Sequence, residues 1–198
     1  MKKKSTYFFI GLVIVIVIIF LLFRCKQNNV CSYFEKNDEG WKVVGDVKNA
    51  FSKPDYHASG GNPGGFLSAT DETTGGVWYW SAPGKFLGSK GAALGKKLSY
   101  DLMQSGLNNQ FEAPDIILES KYLILVYSFP SHPNTTWTSF SVRFSADTGW
   151  KKNNPGGPPA TEKELKKVLS NLKNLKIRGE FITGPDVGSI DNVCLFLR

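Results

Sequence analysis

Between Trp78 and Leu102 the chain reads WYWSAPGKFLGSKGAALGKKLSYDL, and near its end Leu98, Tyr100 and Leu102 alternate with Lys97, Ser99 and Asp101. Side chains on a strand point alternately to its two faces, so this pattern buries one face and wets the other. The apolar face needs a second sheet to cover it, which restricts the chain to sandwich-like folds. Upstream, Trp78 and Trp80 share one face of another run and Tyr79 takes the opposite one. Ala82-Pro83 ends that run, because proline has no N–H to give a ladder. The stretch from Gly84 to Gly95 is therefore a connection between strands.

Short apolar runs bounded by turn residues recur at Trp41 to Val47, Val77 to Ser81, Lys96 to Met103, Asp115 to Glu119, Tyr122 to Phe129 and Thr138 to Phe144. That spacing is all-β. Phe140, Val142 and Phe144 against Ser139, Ser141 and Arg143 form the cleanest alternation, a core-lining strand. The segments 60–65 and 153–159 are rich in Gly, Asn and Pro and are expected to be loops. One α-helix near the C-terminus interrupts the pattern. Thr161 and Glu164 make a capping box, and Leu165, Val168, Leu169 and Leu172 fall on one face that packs into the domain, while Lys163, Lys166, Lys167 and Lys173 face solvent.

Residues 1–6 carry three lysines, and Tyr7 to Phe23 is an apolar run broken only by Gly11. This is the pattern of a transmembrane signal anchor. The lysine bias places the N-terminus in the cytoplasm and the rest outside, as a single-pass protein. Leu-Leu-Phe-Arg before Cys25 lacks the small residues that cleavage or lipidation needs. Residues 24–32 then form a short tether and 33–198 one domain. Residues 1–26 hold five of the 24 basic residues and none of the 17 acidic ones, leaving nineteen against seventeen. The net charge of +7 thus mostly reports topology, and no nucleic-acid partner is expected.

The Trp78 to Leu102 stretch resembles the laminin IV type A domain, also called laminin B. Its pattern is an aromatic strand, Ala-Pro, Phe-Leu-Gly, a Gly and a Leu-Ser-Tyr-Asp-Leu strand. Further matches follow in order: Gly40-Trp41, Asp115 to Leu118, Leu123 to Tyr127, Thr148-Gly149-Trp150, the helix, Leu175 to Phe181 with Ile-Arg-Gly-Glu, and Ile190 to Leu195. The resemblance implies a jelly-roll β-sandwich like those of carbohydrate-binding modules, extracellular and non-catalytic. The Cys-rich repeats that flank the family's domain are absent from this sequence, and the anchored single module looks more like a bacterial surface protein.

The residues themselves give no catalytic set. His57 and His132 fall in loops far apart, no nucleophile stands in an elbow, and Asp38-Glu39 and Asp71-Glu72 are adjacent pairs whose side chains diverge into solvated turns. Zinc is not expected. A structural calcium ion, as related sandwiches hold between first and last strands, would take Glu35, Asp46 and Asp191, although Asp191 reads equally well as a turn residue. Of three cysteines, Cys31 with Cys194 is the favoured disulfide, with Cys25–Cys31 as the competing pair.

The partner is a glycan or, alternatively, a surface protein. Trp41, Trp78, Trp80 and Trp150 coincide with strand patterns and are expected in the core. Trp137 follows a polar loop, Ser131 to Thr136, and is the expected sugar-stacking residue, with Tyr56 and His57 as second contacts.

Overall fold

The computed structural model describes residues 29–71, 73 and 75–198. Among the described residues two antiparallel sheets make an all-β sandwich with one short α-helix. The first has the order β3 (Asp55–Gly61), β4 (Gly64–Thr70), β12 (Val187–Leu195), β6 (Lys97–Gln104) and β9 (Thr138–Arg143), with β1 (Val30–Ser32) also on β12. The second runs β10 (Lys151–Lys152), β8 (Ile124–Tyr127), β7 (Ile116–Glu119), β11 (Asn174–Arg178), β5 (Trp78–Ser81) and β2 (Lys42–Gly45). Strand β6 flanks β12 along most of its length, so β4 and β1 share its other edge, β4 along Val187 to Ile190 and β1 along Val193 to Leu195.

The alternation in β6 and β9 has the expected consequence: Leu98, Tyr100, Leu102, Phe140 and Val142 enter one continuous core with Trp78, Trp80, Ile116, Leu118, Leu175 and Ile177 from the facing sheet. Each such side chain contributes about 1.5–3 kcal/mol when fully buried. Trp41, Trp78, Trp80 and Trp150 are all at most 1% exposed. The helix α1 (Glu162–Ser170) begins with Thr161 as N-cap and a complete capping box to Glu164, and buries Leu165, Val168 and Leu169.

The residues Arg178-Gly179-Glu180 lock the second sheet. Arg178 is fully buried; its Nε donates to Glu180 O at 2.6 Å, its terminal nitrogens donate to the carbonyls of Phe111 and Ala113, and Asp115 lies 3.6 Å away. Gly179 N donates to Trp78 O, and Trp78 N donates to Glu180 Oε2 at 3.1 Å. A buried charge is tolerable only when its donors are used, which this set of carbonyls achieves.

Two expectations need correction. Residues 60–65, read as a loop, are the turn of the β3–β4 hairpin. Gly60 and Gly64 both adopt φ near +95°, which lets the chain bulge and reverse while the ladder continues on either side. His57, placed in a loop, lies in β3. Among the described residues no helix is long and apolar enough to cross a membrane. The Tyr7–Phe23 run, the basic tail and Cys25 lie outside the described residues.

Candidate aromatic site on the outer face of the first sheet

Because Leu67, Leu98, Tyr100, Leu102, Phe140 and Ile190 point inward, their strand neighbours must point out. Register then assembles an outer face: His57 opposite Phe66, Ser68 opposite Ser189, Asp101 opposite Ser139 and Asp191, Ser99 opposite Ser141, and Lys97 opposite Arg143. Trp137 joins it from the residue before β9.

At the β3–β4 end three rings form a row. His57, exposed, stacks on Phe66 with centroids 4.4 Å apart and 13° between planes. Trp137 meets Phe66 edge-on at 5.4 Å and 80°. The Trp137 Nε1–H donates to Gly60 O at 3.0 Å, and the His57 Nε2 and Ser68 Oγ are 2.8 Å apart. Trp137 and Phe66 are half-buried, so the row is anchored but leaves ring surface in solvent. Such flat apolar surface beside amides and hydroxyls is what a sugar ring stacks against, since its C–H face is apolar and its hydroxyls need partners.

Beneath the row lies a polar cluster that fixes the hairpin tip. Asp191 accepts from Asn62 N through Oδ2 and from Asn192 N through Oδ1, both at 2.6 Å. Asp101 accepts from Ser139 Oγ at 2.6 Å, from Asn62 Nδ2 at 3.1 Å and from Asn192 Nδ2 at 2.8 Å. The two carboxylates are 0% and 7% exposed respectively, so they position Asn62 and Asn192 and do not face a ligand. Burial pushes the Asp191 carboxyl up to about 6, opposed by the Asn62 and Asn192 N–H groups and reinforced by the Asp101 charge.

The residues singled out from sequence thus separate. Trp137 and His57 come together. Tyr56 does not join them: alternation turns it to the other face of β3, where it packs against the core and its hydroxyl donates to Glu35 O at 3.1 Å. Phe66 was missed, because reading 60–65 as a loop left no strand on which to place it.

Glu35, Asp46 and Asp191 are not brought together. Glu35 is exposed, Asp191 is spent on Asn62 and Asn192, and Asp46 accepts from Gly76 N at 2.6 Å near Glu180. Among the described residues no three His, Cys, Asp or Glu side chains are placed to hold one metal ion. Cys31 and Cys194 are joined as a disulfide between β1 and β12, with Cα atoms 4.1 Å apart. The expectation of Asp38-Glu39 as a solvated turn fails for Glu39, which accepts from the backbone N–H of Tyr33 and Phe34 and pairs with Lys85.

A second acidic group spans the ends of both sheets, Glu180 following β11 of the second and Asp186 preceding β12 of the first. Glu180 and Asp186, 4% and 3% exposed, stand near Asp71 and Asp46. Burial pushes Glu180 up to about 7 and Asp186 up to about 6, with the Asp71 charge raising both.

A family model described as Laminin B (Domain IV) matches residues 79–196. Laminin subunit gamma-1 of Xenopus tropicalis is 27% identical over 174 residues, which cover 86% of this chain and 10% of that protein. The basement membrane-specific heparan sulfate proteoglycan core protein of Mus musculus is 32% identical over 120 residues, covering 60% of this chain and 3% of that protein. The chain therefore matches a tenth or less of the length of these relatives. Among solved structures, the L4b domain of human laminin alpha-2 superposes with a TM-score of 0.66 at 14% identity, covering 85% of this chain and 98% of that one. A solution structure of CtCBM11 gives 0.54 at 19% identity, covering 87% and 97%. These likenesses fix the sandwich fold.

Proposed function

From the chain's membership of the Laminin B (Domain IV) family, we propose that it is a non-catalytic extracellular binding module whose ligand is a glycan, taken on the outer face of the first sheet. One observation carries this reading: the row His57, Phe66 and Trp137 offers part-exposed ring surface on the outer face of the first sheet. The fold shared with CtCBM11 supports it, as analogy of scaffold and not of site. The apolar run Tyr7–Phe23 supports display of the module at a membrane, with the N-terminus inside.

A glycan array probed with the full chain in detergent micelles tests the reading. Trp137→Ala removes a half-buried ring from the surface, so the fold is expected to persist while glycan affinity falls at least tenfold, about 1.4 kcal/mol. Unchanged binding by that variant, with an unchanged melting curve, removes the site. A chain that binds no glycan but captures a surface protein through the same face favours the protein-interaction alternative.

A further inference from the structure

Strand β9, whose start adjoins Trp137, ends at a basic pocket that it shares with β6. Lys97 of β6 sits opposite Arg143 of β9. Together with Lys96, Ser141, Phe196 and Arg198 they line a depression of about 480 Å³. The Lys97 ammonium lies 4.8 Å from the centroid of the Phe196 ring, which holds one side of the pocket. Among the described residues no carboxylate comes within ion-pair distance of Lys96, Lys97 or Arg143. Lys96, Lys97 and Arg143, gathered round one concavity, repel each other, and an anion seated among them relieves that repulsion.

The pocket is in line with the aromatic row. Six residue steps along β9 separate Trp137 from Arg143, about 20 Å at the rise of an extended strand. Between them lie the outward hydroxyls of Ser139 and Ser141 on β9 and Ser99 on β6, with the buried Asp101 carboxylate opposite Ser139 occupied by Ser139, Asn62 and Asn192. The face therefore offers ring surface, then hydroxyls, then cations.

We propose that the ligand is an acidic polysaccharide lying along β9, with a sugar ring at Trp137 and its carboxylate or sulfate groups in the Lys97–Arg143 pocket. This rests on the glycan reading above and adds the charge of the ligand and the direction in which it lies.

The test measures binding of the full chain in detergent micelles to three polymers of matched length at about 150 mM salt, where long-range attraction is screened. The polymers are neutral dextran, dextran sulfate and polygalacturonate, the last two separating sulfate from carboxylate recognition. At least one acidic polymer is expected to bind about tenfold or more tighter than dextran. Exposed ion pairs contribute several-fold each, so Lys97→Ser with Arg143→Ser should remove about tenfold. The pair Lys163→Ser with Lys166→Ser, which removes equal charge from the exposed face of α1, should leave affinity unchanged.

Equal binding of acidic and neutral polymers overturns the proposal. So does an equal loss in the α1 variant, which marks nonspecific attraction, and so does binding to anionic lipid vesicles without binding to either acidic polymer. If neutral glycans bind through Trp137 with no gain from acidic groups, this inference fails and the glycan reading stands. If no polymer and no array glycan binds, both fail.

Discussion

Replacing Gly179 with alanine gives a strong test of how the sheets are joined. A Cβ at Gly179 would fall inside contact distance of three atoms of the Trp78 six-membered ring, Cζ3, Cε3 and Cη2. That ring is 0% exposed, has Trp80 at 5.1 Å, and has Gly188 against it, where a Cβ would lie 2.8 and 2.9 Å from Cη2 and Cζ2. Its backbone is held too, by Gly179 N and Glu180 Oε2. The ring cannot retreat without moving strand β5. Overpacking of this kind costs about 1–3 kcal/mol, and so immobile a neighbour puts Gly179→Ala at the upper end, about 3 kcal/mol. Against a total stability of about 5–15 kcal/mol this is a large share. Urea unfolding followed by tryptophan fluorescence reads it: with m of about 2 kcal/mol/M, the midpoint should drop by about 1.5 M. Trp78→Leu frees the space, so the double variant Trp78→Leu/Gly179→Ala should lose less than the sum of the singles by about 1 kcal/mol or more. A cost below about 1 kcal/mol, or strict additivity, would falsify the claim that Gly179 is fixed by the Trp78 ring.

The Cys31–Cys194 disulfide closes a separation of 163 residues, so Cys31→Ser/Cys194→Ser should cost up to about 5 kcal/mol in the chain-entropy model; a urea midpoint insensitive to the change would contradict it. Glu180, Asp186 and Asp191 have carboxyls raised to about 7, 6 and 6, so the fold binds protons more tightly than the unfolded chain. Stability should therefore rise as pH falls from 7 towards 5, and thermal melts at pH 7, 6 and 5 decide it, a steady fall being the refuting result. Glu164, pulled down to about 2 by the Thr161 N–H and hydroxyl, opposes this trend only below its ordinary range near 4.5. Thr161→Ala removes the N-cap acceptor of α1 and should cost about 1 kcal/mol, read as a lowered melting temperature; no change would mean that packing of Leu165 and Leu169 alone sets the helix start.

Strands with strict alternation were legible from sequence, because period 2 is a direct imprint of a half-buried face: β6 and β9 are the cases. The helix start was legible because Thr161 and Glu164 satisfy orphan N–H groups in a way few other pairs do. The β3–β4 hairpin was not. Glycines carry no side-chain period, and the same residues that suggest a loop here supply the positive φ of a hairpin turn. That one misreading propagated to the site, hiding Phe66, putting His57 in a loop and obscuring that Tyr56 and His57 face opposite ways. Trp137 could be singled out because it follows a polar loop, whereas His57 and Phe66 meet through the β3–β4 register and Trp137 reaches Phe66 from the start of β9 at the other edge of the sheet, which no local pattern encodes. Neither could the basic pocket be seen, since Lys97 and Arg143 are 46 positions apart and meet only through the β6–β9 pairing.

The short strand β1 runs antiparallel to the end of β12, so residue 29 and the C-terminus emerge at the same end of the molecule, with Leu197 N donating to Asn29 Oδ1. A tension applied between these two points peels the ladder from its tip and reaches the disulfide after a single residue pair, Val30 with Leu195. There the load passes covalently from Cys31 to Cys194, and everything between them is mechanically short-circuited. While that bond is intact the sandwich can be stretched by only a few terminal residues; once it is reduced, the same pull unravels β12 from the middle of its sheet. A pull between these two points is thus transmitted around the fold instead of through it.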